Sequence, residues 1–247
     1  LSSSGVVDPL FNFWQFDQEV SIAAGPACAA ALRNVTAAFE AAEQQGSAGP
    51  AAAAARKAMG ARAGLSSSDF FYMLADSSAM AVQYGHKDTV CSAMTKAVSE
   101  GADLIAAFAN FTTSLWGADF PSMCFYDTQC LTSSPDKWQP TSRSWRWQKC
   151  TELAYLQAAP TEGQSALPSL RTTRYLTMPD LLKQCEAVFG KHDLAAATER
   201  ILAMFGGKNF KGSNVFFSNG SDDPWQRASV NTSEPSKQLP ELTIECS

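Results

Sequence analysis

The sequence predicts an α/β protein in which a long helical region is set beside a few isolated strands. Three observations carry this. From residue 13 to residue 118 apolar side chains recur at helical spacing, with almost no strand signal. Beyond Gly117 the composition shifts to turns, cysteines and shorter helices, and two strand-like runs follow, at 215–217 and 241–246. Isolated strands need partners, so part of the sheet is expected to lie outside this chain. At 247 residues the chain is ample for a sizeable core.

The elements follow in order. Residues 1–9 contain Val6 and Val7 and read as the end of a strand leaving a sheet. Phe11, Phe13, Trp14 and Phe16 form an aromatic cluster, expected to be a helix with its apolar face in the core. After Gly25-Pro26 a helix is expected over 27–45, with Leu32, Val35 and Phe39 at helical spacing. The glycines and proline of 46–50 break it. The alanine-rich run 51–63, with Arg56, Lys57 and Arg62, is expected to be a solvated helix whose charges need no function. Ser66 to Asp69 is a helix start, and Gly85 ends that helix. Further helices are expected from Asp88, over 102–115, over 180–188 and over 194–205.

Charge and composition exclude several classes. Net charge is −5 with no basic stripe, so nucleic acid is not an expected partner. No apolar run has the length of a membrane span, and the start of the chain shows no signal-peptide pattern. Seven cysteines are dispersed without a Cys-x-x-Cys pair, and only His86 and His192 accompany them, so no zinc site and no cofactor is expected. The cysteines are either buried thiols of a cytosolic protein or disulfides. Four Asn-x-Ser/Thr sequons, at Asn34, Asn110, Asn219 and Asn231, favour the second and a secretory compartment. An odd count leaves one cysteine without a partner in the chain.

Two motifs point to chemistry. The first is Asn214-Val215-Phe216-Phe217-Ser218-Asn219-Gly220-Ser221-Asp222-Asp223-Pro224-Trp225. It reads as a short buried strand over 215–217, an Asn-Gly turn and an acid whose backbone is set by Pro224. Such a turn is how an α/β sheet presents a carboxylate at its active edge, although most such turns are only polar loops. The second is the run 142–155, which contains Trp145-Arg146-Trp147-Gln148-Lys149-Cys150-Thr151-Glu152 and Tyr155.

Together, and with the run from Ala79 to Gly85 followed by Cys91, these motifs resemble the prolyl carboxypeptidase / dipeptidyl peptidase II family of serine peptidases. The likeness is to its thymus-specific serine protease branch. It implies part of an α/β-hydrolase fold with an inserted helical cap. Residues 1–12 would be a hydrolase-sheet segment, 13–118 the cap and 119–247 the C-terminal hydrolase segment. Asn219, Gly220, Asp223, Pro224 and Trp225 match the family pattern, which makes Asp223 the triad acid. Its role would be to hold the catalytic histidine in its working tautomer. Asp222 falls at a variable position and is expected to be solvated.

The resemblance implies more. Trp225 is either a core aromatic or a wall of a proline-accepting pocket, Tyr155 lines that pocket, and Glu152 is a candidate anchor for a substrate amine. Trp147 is expected to pack at a helix start beside a disulfide. Implied bridges are Cys28–Cys91, Cys150–Cys185 and Cys124–Cys130, with Cys246 pairing outside the chain. Glycans are expected at one or more of Asn34, Asn110 and Asn231, and Asn219 is expected to be bare.

A hydrolase of this class needs a Gly-x-Ser-x-Gly nucleophile, an acid and a histidine in that order. These residues contain no Gly-x-Ser-x-Gly, and neither histidine follows Asp223. The expected protein is therefore a fragment of a serine exopeptidase cutting after proline-like residues. Its partners would be a peptide with proline near a terminus and a companion segment or chain bearing the serine and histidine; a homodimer is compatible with this. It would be secreted or lysosomal/vacuolar, and inert by itself. The competing class is an inactive relative or processed piece serving as a structural component of an extracellular assembly. A free-standing helical binding module leaves the orphan strands unexplained.

Overall fold

The computed structural model describes residues 6–133, 140–209, 211–212, 215–230 and 241–244. Helix α1 (Gln15–Glu43) is kinked where the sequence places Gly25-Pro26. Gly25 takes φ 77°, a conformation that glycine reaches without a Cβ penalty, and Pro26 restarts the helix with its φ already set. The aromatic cluster does not form one helix. Phe11 and Asn12 belong to strand β1 (Leu10–Asn12), and α1 begins only at Gln15. Pairing with a neighbouring strand outweighs the local aromatic pattern there.

Four helices complete this region: α2 (Pro50–Met59), α3 (Ser67–Gln83), α4 (Lys87–Ser99) and α5 (Leu104–Trp116). Ser66 caps α3 by accepting from the Asp69 amide at 3.0 Å, and Asp103 caps α5 by accepting from Ile105 at 2.9 Å. Phe39, Phe70, Phe71 and Phe108 are almost fully buried between them, in edge-to-face contacts. The α2 charges are not all solvated. Arg56 is 2% exposed and ion-paired to Glu43 at 2.6 Å, because Ala52, Ala55 and Met59 turn the same face inward.

Two short 3₁₀ turns, Phe120–Ser122 and Cys124–Tyr126, lead into α6 (Thr128–Ser133). Helix α7 (Pro140–Gln148) then passes into a π-helical turn, Lys149–Leu153, and strand β2 (Ala154–Leu156). Helices α8 (Met178–Phe189) and α9 (Leu194–Phe205) follow, α8 with a reciprocal cap between Thr177 and Asp180.

The strands form two parallel pairs. β1 lies beside β2, with Leu10 opposite Ala154 and Asn12 opposite Leu156. β3 (Phe217–Gly220) lies beside β4 (Glu241–Ile244). An antiparallel bridge, Val6 to Ser229, joins the two neighbourhoods. Parallel pairing requires a crossover, and between β1 and β2 the intervening helices supply it. The strand expected at 215–217 is displaced: Phe216 is 60% exposed, and the ladder runs through Asn219 and Gly220. The Asn-Gly pair therefore ends the strand, and the turn lies over 221–223, because the Asn219 side chain donates to the Val230 carbonyl at 2.8 Å and stays buried.

Three disulfides pin these parts: Cys28–Cys91 between α1 and α4, Cys124–Cys130, and Cys150–Cys185 between the π-helical turn and α8. They are the pairs that the sequence reading named. Cys246 and Asn231 lie outside the described residues.

Candidate active site

The acid-bearing turn is built locally. Asp223 takes extended backbone geometry ahead of Pro224, its carboxylate accepts from the Trp225 amide at 3.0 Å, and its own amide donates to Gly220 at 3.2 Å. The 3₁₀ turn that follows, Pro224–Ala228, carries Trp225 inward. Asp222 is not simply solvated. Its carboxylate pairs with Lys87 at the start of α4 at 2.6 Å, which ties the turn to the helical region. Arg227, on the same turn, reaches Glu19 on α1 at 2.5 Å.

Trp225 stands at the centre of an aromatic box. Its ring lies 5.4 Å from Phe13, 5.9 Å from Phe16, 6.4 Å from Trp145 and 5.0 Å from Tyr155. Tyr155 is held there by unusual backbone: Ala154 and Tyr155 have φ of 58° and 49°, directly after the π-helical turn. Non-glycine residues pay strain in that region, which persists only where packing enforces it and is concentrated at functional sites. Burial, and then Asp8, raises the Tyr155 pKa well above that of an ordinary tyrosine, so it is a neutral phenol.

One face of the box opens into a cleft of about 520 Å³. Its lining includes Trp225, Trp145, Phe16, Tyr84, Trp116 and Phe120. Burial, followed by the charges of Asp223 and Asp76, raises the Tyr84 pKa, which places Tyr84 within the electrostatic reach of the acid turn. Polar groups in the cleft include Asp76, Lys149 and Gln157. Asp76 is engaged by Arg171 at 3.3 Å, and Arg171 also faces Asp17 at 3.8 Å.

The structure thus brings Trp225 and Tyr155 together and sets Asp223 two residues from Trp225. Of the residues singled out in the sequence, the cleft lining includes Trp225 and omits Asp223, Tyr155 and Glu152; Tyr155 stands behind Trp225 in the aromatic box, and the Glu152 carbonyl faces Thr198 on α9 at 3.5 Å. Trp147 is 45% exposed rather than packed, because the neighbouring Arg146 and Lys149 take the inward-facing positions of α7 and its π-helical turn. His86 is edge-on to Trp116 at 5.9 Å and His192 meets the Phe189 carbonyl at 3.0 Å; neither pairs with Asp223 among the described residues. No cluster of His, Cys, Asp or Glu suited to a metal occurs among the described residues, and no described helix is long and apolar enough to cross a membrane. Sequence reasoning missed Asp76, Arg171, Tyr72 and Lys149. Of these only Lys149 lies in one of the two motifs, where the sequence gives it no role.

Small parallel strand pairs with a helical cap, and an aromatic cleft lined by the Trp225 that follows the acid turn, define an α/β-hydrolase-like protein. The chain belongs to the serine carboxypeptidase S28 family, whose model matches residues 1–247. It is 28% identical over its whole length to the probable serine protease EDA2 of Arabidopsis thaliana, of which it covers 48%. It is 33% identical over 40% of its length to the thymus-specific serine protease of Mus musculus, covering 19% of that protein. The serine protease vicPa of Bipolaris victoriae is 25% identical over 43% of the chain, which covers 22% of it. The chain therefore spans about half the length, or less, of the curated relatives it matches.

Proposed function

We propose that this chain is the cap and acid-bearing part of a serine-type exopeptidase that cuts peptides after proline-like residues. Asp223 is the triad acid, and the nucleophilic serine and the histidine come from polypeptide outside these 247 residues. The observation that carries the reading is the aromatic box around Trp225, two residues from Asp223. Flat aromatic faces suit a proline ring by contact area and leave no polar group unpaired. The names of the three relatives, each a serine protease, support the reaction class.

The test compares the complete polypeptide on peptides that differ only in proline or alanine before the scissile bond. Proline is expected to raise kcat/KM about 2- to 12-fold, from roughly 0.5–1.5 kcal/mol of ring packing. Replacing Trp225 by alanine should erase the preference. Equal rates for the two peptides would remove the proline pocket. Hydrolysis of neither would favour the second reading, a non-catalytic piece of an extracellular assembly, which the lack of Gly-x-Ser-x-Gly among these residues also suits.

The same reading places the protein in the secretory pathway or lysosome, with a second copy of the chain as a candidate partner. Asn34 and Asn110 are exposed on α1 and α5, and Asn219 is 3% exposed. Glycopeptide mass spectrometry is expected to find a glycan at Asn34 or Asn110 and none at Asn219. Occupancy at Asn219 would contradict the placement of its side chain.

A further inference from the structure

Lys149 opens the π-helical turn and lines the cleft, yet its residue is only 2% exposed. Its ammonium donates to the Tyr72 hydroxyl at 3.0 Å and lies 5.6 Å from the centre of the Tyr72 ring. No carboxylate lies within ion-pair distance of it among the described residues. A buried ammonium is expensive unless an anion answers it, and a phenol answers it only in part.

The surroundings deepen the imbalance. Arg146 lies over the same Tyr72 ring at 5.1 Å, so two cations share one aromatic ring. The Arg146 side chain donates to Gln184 at 3.2 Å, while its buried Nε has no partner among the described residues. Asp69, a carboxylate that feels the charge of Arg146, is already committed to Thr128 and Gln184. The cleft's own carboxylate, Asp76, is held by Arg171 and hydrogen-bonded to Tyr126. The cleft therefore offers an unanswered positive charge and a carboxylate that already has partners.

We propose that Lys149 receives the terminal carboxylate of a peptide whose proline ring sits against Trp225, so that the cleft selects the carboxyl end of its substrate. This rests on the exopeptidase reading and adds the end from which the substrate is cut. Lys149 is a specificity-determining residue; it meets the substrate without joining the bond-breaking step. A carboxylate there makes a charge-assisted hydrogen bond and completes the ion pair that the fold leaves open. An uncharged amide at the same place leaves the ammonium unanswered.

The experiment titrates the complete polypeptide by calorimetry with N-acetyl-prolyl-phenylalanine as its free acid and as its amide. The blocked amine and the proline are common to both. The acid is expected to bind about 10- to 100-fold more tightly, the range of one hydrogen bond to a charged group. Lys149→Met should remove the difference and Lys149→Arg should keep most of it, with thermal melts checking that both variants fold. Equal binding of acid and amide by the unmodified protein overturns the proposal without any variant. So does a difference that survives in Lys149→Met, or no binding of either peptide. Tighter binding of the corresponding peptides when their amine is unblocked would assign the cleft to Asp76 and also overturn it. An acid preference with no hydrolysis would sink the peptidase reading and leave this one standing.

Discussion

Arg56 and Lys149 are equally buried, and the chain treats them in opposite ways. Arg56 is answered on every side. Its Nε and one terminal nitrogen donate to Glu43 at 2.9 and 2.6 Å, the other terminal nitrogen donates to the Leu65 carbonyl at 2.6 Å, and Phe70 lies beneath it at 4.6 Å. Glu43 also accepts from Ser67 at 2.9 Å. Lys149 has one phenol and the edge of a cleft. A guanidinium fits a closed hydrogen-bond network, whereas an ammonium on a flexible stem suits a partner that comes and goes. The difference separates a charge that joins helices from a charge that waits for a ligand.

The comparison can be broken most strongly at Arg56. Arg56→Met leaves Glu43 buried and unpaired, which typically costs about 3–5 kcal/mol. Chemical denaturation should show that loss, while any protein that still folds should keep its choice between acid and amide peptides. A stability loss below about 1 kcal/mol would mean that the pair is not the structural charge described here.

A smaller effect sharpens the picture through pH. Asp17 is buried at the far end of the Arg171 group, and burial raises its pKa above the ordinary 3.8 despite Arg171, Ser169 and Leu170. A raised folded-state pKa gives stability that is fully present below that ordinary value and is lost as pH climbs through the raised one. The unmodified chain should therefore gain in melting temperature on Asp17→Asn as pH falls from neutral towards 4. A gap that stays constant across that range would mean Arg171 neutralises Asp17 fully, and the Arg171 group would then resemble Arg56 rather than Lys149.

Much of the helical region was legible because its signals are local. Ser66, Gly85 and the Gly25-Pro26 pair mark helix ends through their own backbone and side-chain chemistry. The disulfide pairing was legible only through family resemblance, since cysteine pairing is a property of the fold and spacing alone leaves it open. What stayed hidden was burial of charge. Arg56 in an alanine-rich run has the pattern of a solvated cation, and only the packing of α2 on α1 shows otherwise. Asp222 and Lys87 are 135 residues apart, so no local pattern joins them. The strand at 217–220 was misplaced because Phe216 is apolar yet exposed, and the buried polar Asn219 takes a position that the alternation assigns to the core.

The central claim is that Asp223, and not its neighbour, is the acid of the site. The direct measurement is kcat/KM on a proline-containing peptide for Asp223→Asn and Asp222→Asn in the complete polypeptide, with both variants shown to fold. Asp223→Asn should lose about 10⁴-fold, because an amide cannot hold the histidine in its working tautomer. Asp222→Asn loses only the Lys87 pair, which is partly exposed and worth about 1 kcal/mol or less, so its rate should fall by less than about tenfold. An inactive Asp222→Asn beside an active Asp223→Asn would contradict the account.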